Sequence, residues 1–159
     1  MTAKGKVYKA LDEAFRAAFL LTGSTEVAEN AVVDGIAALE FAHIVDDVLL
    51  VETVKSAIQR RTDFPGQSRQ ALSQLPLELQ RLFLLAPISR DSFVLRVLLG
   101  ITPGICSGIL HLTIQEVEAV LSAALQELPF LEAGGSTRRE AIPSRSDTRL
   151  VHYLPHYYG

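Results

Sequence analysis

Apolar residues in the first half of the chain recur at the three- and four-residue spacing of amphipathic helices, and no segment alternates as a strand would. The pattern predicts a first helix ending at Gly23, a second from Thr25 to Phe41 and a third from Asp46 to Arg61. The stripe of the first helix contains Val7, Leu11, Ala14, Phe15, Ala18 and Phe19, and that of the second contains Ala28, Ala31, Val32, Gly35 and Leu39. An all-α fold is therefore expected.

Residues 62–70 interrupt this pattern, because they combine proline, glycine and polar side chains without periodicity. The interruption predicts a linker between two small helical modules, residues 1–61 and 71–131. Residues 132–159 carry four arginines, Glu132, Glu140, Asp147 and three tyrosines. This composition predicts a basic, aromatic C-terminal tail.

Helical spacing resumes in the second module at Leu72 and is predicted to continue as one helix to Ala86. Ser89 is the predicted N-cap of the next helix, and Gly100 is its predicted C-terminal stop. Both assignments rest on the capping preferences of serine and glycine alone.

The segment from Thr102 onward has the sequence signals of two helices joined by a short turn. Thr102 and Pro103 match an N-cap followed by proline at the first helical position, and that helix is predicted to last to Leu110. Thr113 and Glu116 match a capping box that opens the second helix. The residues it is predicted to bury are Val117, Val120, Leu121, Ala124, Leu125 and Leu128. A helix-turn-helix is the predicted arrangement.

Composition limits the possible functions. The 159 residues are 48% hydrophobic with a formal charge of -3, which excludes a large multidomain enzyme, wholesale disorder and a global positive field for nucleic acid. The single cysteine, Cys106, excludes an intramolecular disulfide and favours a buried thiol over a nucleophile paired with His111. The amino-terminal residues lack a signal-peptide pattern, so a cytoplasmic protein is expected.

A membrane span, a metal site and a catalytic site each have weak support in the sequence. Val97–Gln115 is uncharged over 19 residues, but its polar positions and Pro103 divide it into pieces shorter than a bilayer, which argues against a membrane span. His152 and His156 have the spacing of helical metal ligands, but Pro155 lies between them and no further ligand is near. Neither a phosphate-binding glycine loop nor a catalytic carboxylate pair is recognisable. No metal, cofactor or enzymatic activity is therefore predicted.

Two blocks resemble the extracytoplasmic-function sigma factors of bacterial RNA polymerase. Phe15–Glu40 is similar to the start of the family's region 2, with an aromatic-Leu-Leu-Thr-Gly segment before an Ala-Glu pair and an amphipathic helix. Leu72–Leu128 is similar to region 4, with Leu-Pro, a Phe-Val-Leu-Arg run and the capped helix pair. The resemblance implies a transcription-initiation subunit whose region 2 grips the polymerase clamp and whose region 4 reads promoter DNA through the second helix of the pair.

The DNA-contacting positions that this implies are Gln115, Glu116, Ala119 and Ser122 on the second helix, with the basic cluster Lys55, Arg60 and Arg61 in the first module. The basic cluster has a second interpretation, as a solvated helix end. No lysine or arginine occurs between Gly100 and Leu131, where the family is strongly basic. Weak intrinsic DNA affinity is therefore expected, because phosphate contacts supply most of such binding.

Three functions remain open. The first is a divergent sigma-factor-like regulator that associates with RNA polymerase core and weakly, or no longer, with promoter DNA. The second is a sigma-derived interaction module that binds polymerase, an anti-sigma protein or a second copy of itself. The third is an unrelated helical enzyme or ligand-binding bundle, since a resemblance indicates fold before function.

Overall fold

The computed structural model describes residues 3–39, 45–63 and 69–130, and these residues are helical without any strand. The all-α prediction is confirmed. The chain divides into two units, with the boundary between Leu75 and Pro76. The predicted linker, 62–70, lies before this boundary, and its residues 64–68 lie outside the described part, as does the predicted tail, 132–159.

The first unit is built on three helices, α1 (Ala3–Thr22), α2 (Thr25–Leu39) and α3 (Val45–Asp63), each of which packs against the other two. A short helix, α4 (Arg69–Ser73), follows. Small side chains dominate the core, which allows the helix axes to approach closely. The core residues are Ala14, Ala17, Ala18, Leu21, Val27, Ala28, Ala31, Leu49, Val54 and Ala57.

The turn between α1 and α2 follows from two local signals. Gly23 has a φ of 69°, a left-handed conformation that glycine adopts without steric cost, and its N–H bonds to the carbonyl of Phe19. Ser24 then caps α2, because its hydroxyl accepts a hydrogen bond from the N–H of Val27. The predicted stop at Gly23 is confirmed, whereas the predicted end of α2 at Phe41 lies outside the described residues.

The second unit contains α5 (Leu77–Leu82), α6 (Pro87–Phe93), α7 (Pro103–Leu110) and α8 (Ile114–Glu127). α6 continues into a π-helical turn at Val94–Leu98, α8 ends in a 3₁₀ turn at Leu128–Phe130, and α6 packs against both α7 and α8. The core residues are Leu82, Leu85, Val94, Leu95, Ile101, Cys106, Ile109, Leu110, Val117, Leu121 and Ala124.

Two predicted helix boundaries near the start of this unit are wrong. The single helix from Leu72 to Ala86 is in fact two short helices, because the chain turns at Gln74–Leu75 before Pro76. Ser89 does not cap a helix, since α6 already begins at Pro87, whose fixed φ and missing N–H suit the first helical position. In both cases a proline outweighs the signal that the prediction used.

The predicted burial also needs corrections. Leu125, predicted to be buried by α8, is 47% exposed, and Val7, predicted on the stripe of α1, is 50% exposed. Both lie toward helix ends, where periodicity continues but the neighbouring helices no longer cover the side chain. Val117, Leu121 and Ala124 are buried as predicted, whereas Val120 and Leu128 are only half-buried.

Candidate functional site: the α7–α8 pair and the α2–α3 cations

α7 and α8 have the geometry of a helix-turn-helix. Their axes bend by 94° across the turn from His111 to Thr113, within the range typical of the motif. His111 has a φ of 55° and ends α7. This left-handed conformation is uncommon for residues other than glycine. The Ser107 hydroxyl donates to the carbonyl of Leu112 across the same turn. The predicted pair of short helices meeting at a corner is confirmed.

The beginnings of the two helices differ in how they are capped. Thr102 has extended backbone and precedes Pro103 at the first helical position, but its side chain makes no capping hydrogen bond. Thr113 and Glu116 form the complete capping box that the sequence predicts, each side chain accepting from the other residue's backbone N–H. The Thr113 backbone N–H and the Thr113 hydroxyl both donate to the Glu116 carboxylate. These two bonds lower the pKa of Glu116, and the bond from the backbone contributes more.

Arg96 joins the turn before α7 to α8. Its Nη1 donates to the carbonyl of Ile101 at 2.9 Å, and its Nε donates to Oε1 of Glu118 at 3.1 Å. Arg96 therefore links these segments of the second unit. Since the same side chain neutralises Glu118, Arg96 is committed to the fold of the unit and not to an external phosphate.

The four positions predicted on α8 differ in what they can contact. Gln115 and Ala119 are exposed and four residues apart, and Ser122, half-buried, follows three residues later, so the three share one side of α8. Glu116 is exposed but its carboxylate is engaged in the capping box. The outer side of α8 is therefore uncharged along Gln115, Ala119 and Ser122.

The cations predicted in the first unit are engaged by partners within that unit. Arg60 reaches from α3 to Asp34 on α2, with Nε to Oδ2 at 2.7 Å and Nη2 to Oδ1 at 3.1 Å. Arg61 donates to the carbonyl of Leu21 at the end of α1, and Lys55 pairs with Glu52 one turn earlier on α3. This arrangement favours the structural interpretation of the basic cluster over a phosphate site.

Asp34 is the centre of the α2–α3 junction, because it accepts from both Arg60 and the hydroxyl of Ser56. These bonds lower its pKa from the usual 3.8, that of Arg60 contributing most and that of Ser56 next. A carboxylate with a lowered folded-state pKa stabilises the fold above its unfolded pKa, and the stabilisation is lost as pH falls through the folded value.

Asp34→Asn is therefore expected to lower stability at neutral pH by about 0.5–1 kcal/mol, the small value reflecting the partial exposure of the pair. The difference from the unsubstituted chain should shrink as the pH falls below 3.8 and vanish below the lowered folded-state pKa. Urea unfolding followed by circular dichroism across a pH series measures both. Asp12→Asn is the matched control, since Asp12 pairs with Arg16 on the exposed side of α1. An equal loss in both variants would contradict the role given to the Asp34 junction.

Cys106 is buried in the helix-turn-helix core, and its thiol lies 3.6 Å from the carbonyl of Ile101. Burial raises the pKa of the thiol, and the nearby Arg96 only partly opposes this. The prediction of a core thiol is confirmed. Among residues 3–39, 45–63 and 69–130, no three His, Cys, Asp or Glu side chains are placed to hold a metal ion; His152 and His156 lie outside these ranges.

Sequence reasoning missed a run of buried polar residues on α6. Arg90, Asp91 and Ser92 are all at most 2% exposed, and the guanidinium of Arg90 lies 5.0 Å from the centroid of the Phe83 ring. Consecutive polar residues usually indicate a solvated segment, so hydropathy gave no signal for this burial. The adjacent Phe-Val-Leu run was the only feature of the sequence that pointed to a core here.

No single helix in the described ranges is long and apolar enough to cross a membrane; α7 and α8 reach that hydropathy only as a pair, across their 94° bend. No protein-family model, curated protein or solved structure matches the chain.

Proposed function

We propose that this protein is a sigma-factor-like transcription regulator that acts by contacting RNA polymerase, with weak intrinsic affinity for promoter DNA. The observation that carries the proposal is the α7–α8 helix-turn-helix, whose 94° corner and capping box occur where the sequence resembles region 4. The order of the two blocks along the chain, a three-helix unit before this pair, adds support.

The charge of the helix-turn-helix supports weak DNA binding. Residues 101–130 contain Glu116, Glu118 and Glu127 but no lysine or arginine. Each missing phosphate contact removes about 0.9 from the slope of log affinity against log salt. Gln115 and Ser122 offer groups for base edges, but such contacts select a sequence and supply little affinity by themselves.

Protein contact is supported by an exposed apolar pair on α2. Val33 is 61% exposed and Ile36 is 44% exposed, and their three-residue spacing places them on one side of the helix. α2 lies in the block that resembles region 2, the part that the resemblance connects with the polymerase clamp. We therefore assign the Val33–Ile36 pair to the polymerase contact.

Purified chain is expected to capture purified bacterial core RNA polymerase, and the double variant Val33→Gln/Ile36→Gln is expected to capture it several-fold more weakly, because burial of the two side chains drives the contact. Val7→Gln is the matched control: Val7 is also about half exposed, but on α1. The amount of core enzyme retained on immobilised chain is the measurement. No capture by the unsubstituted chain would refute the polymerase role.

A titration of duplex DNA by fluorescence anisotropy tests the second half of the proposal. The expected result is weak binding at low salt with a shallow salt dependence, since few phosphates are neutralised. A steep slope would show instead that cations elsewhere in the chain, such as Arg138, Arg139, Arg145 and Arg149, compensate for the acidic helix-turn-helix.

The alternative function, a sigma-derived interaction module that no longer binds DNA, is favoured by one feature of the second unit. Its described residues expose nine large apolar side chains, against four in the first unit. Exposed apolar side chains that form one contiguous patch are typical of protein-binding sites. Failure to capture core enzyme, combined with self-association or capture of a purified anti-sigma protein, would favour this alternative.

A further inference from the structure

The outer edge of α8 carries two apolar side chains that remain about half exposed. Ile114 and Leu125 are each 47% exposed, and because eleven residues make about three turns they lie on the same side of the helix. Leu121, which is buried in the core of the unit, and Glu118, which Arg96 neutralises, lie between them on that side. We call Ile114, Glu118, Leu121 and Leu125 the α8 edge.

The chain itself supplies a segment whose chemistry suits this edge. Three of its four tyrosines, Tyr153, Tyr157 and Tyr158, occur in the last seven residues, where Leu154 also lies. Tyrosine combines a large apolar ring with a polar end, so it gains most where one side is covered and the other remains wet.

The length of the chain beyond α8 also matches. The segment 131–159 begins directly after Phe130, at the carboxyl end of α8. Running back along α8 requires about 20 Å, and the 23 residues from Ser136 to Tyr158 can span up to ~75 Å.

We propose that the aromatic end of the chain, residues 150–158, docks on the α8 edge of the same molecule and covers Ile114 and Leu125. The inference requires neither polymerase nor DNA, so it stands or fails independently of the proposed function.

The absence of tryptophan from the sequence allows a direct test. In the full-length chain, Tyr157→Trp introduces a single indole into the docking segment, and Tyr8→Trp introduces one at a position that is 71% exposed on α1. If the segment docks, the emission of the first variant lies at shorter wavelength than that of the second, and its acrylamide quenching constant is several-fold lower. Equal emission and quenching in the two variants would overturn the proposal.

A second substitution locates the docking surface. Adding Leu125→Gln to Tyr157→Trp is expected to return emission and quenching toward the values of the Tyr8→Trp variant, because the apolar contact is lost while helix propensity is kept. Val7→Gln, which replaces an equally exposed apolar residue on α1, should leave them unchanged. Circular dichroism verifies that each variant is folded.

Two results would contradict the assignment. If Leu125→Gln leaves a protected indole protected, the segment binds elsewhere. If protection of the indole disappears on dilution, the occupant of the α8 edge is a second copy of the chain and not the segment of the same molecule.

Discussion

Gly35→Ala is expected to destabilise the three-helix unit by about 2 kcal/mol, although alanine is the better helix former. A Cβ at Gly35 would lie 2.2 Å from Oγ1 of Thr53 and 3.2 Å from the backbone oxygen of Leu49. The first distance is far below any real contact, and Thr53 is fully buried, so its side chain has little room to move. The steric cost therefore exceeds the gain in helix propensity.

Urea unfolding measured on resonances of α2 and α3 gives this loss. Gly108→Ala, followed on resonances of α7 in the second unit, is the matched control, because a Cβ at this helical glycine would meet nothing within 4 Å; it should raise the stability of that unit by up to about 1 kcal/mol. Combining Gly35→Ala with Thr53→Ala removes the clashing hydroxyl and should recover part of the loss, a coupling that a double-mutant cycle quantifies. A stabilising effect of Gly35→Ala alone would contradict the close approach of α2 and α3.

Arg90→Ala is expected to cost the second unit about 3 kcal/mol, the largest effect anticipated for any single cation in the described ranges. The side chain is 2% exposed and stacks on Phe83, so its removal leaves a cavity and ends a cation–π contact in a dry site. Arg90→Lys should restore little of this, because an ammonium group lacks the planar face that stacks on the ring.

The measurement is denaturant unfolding read from resonances of α6 and α8. Arg96→Ala provides the comparison: its side chain is 22% exposed and bonds Glu118 and Ile101, so water can replace part of what is lost, and a cost of about 1 kcal/mol is expected. If both substitutions cost the same, burial is not what distinguishes the two arginines.

The parts of the fold that could be predicted from the sequence are the helix ends that carry local capping signals. Gly23 ends α1 and the Thr113–Glu116 box opens α8 as predicted, because each signal acts within a few residues of itself. The predictions of a cap at Ser89 and of one helix from Leu72 were wrong, because Pro87 begins α6 and the chain turns before Pro76. The burial of Arg90 depends on a ring seven residues earlier, a contact that hydropathy does not encode.

The sequence could predict which candidate side chains share a helix side, but not which of them remain available to a ligand. Gln115, Ala119 and Ser122 share one side of α8, as helical spacing alone requires. The carboxylate of Glu116 and the guanidinium of Arg60 are engaged by partners within their own units, one in a cap and the other across a helix junction. Position along a chain indicates which side chains share a helix, but hydrogen bonding determines which remain available to a ligand.

The uncharged outer side of α8 has a consequence for protein engineering. Ala119 is exposed, and neither it nor Ser122 belongs to the capping box or to the Arg96 bridge that maintain the corner. Side chains at these two positions can therefore be exchanged while the architecture beneath them is preserved. The pair of helices is in this sense a ready scaffold on which sequence-specific recognition could be installed by design.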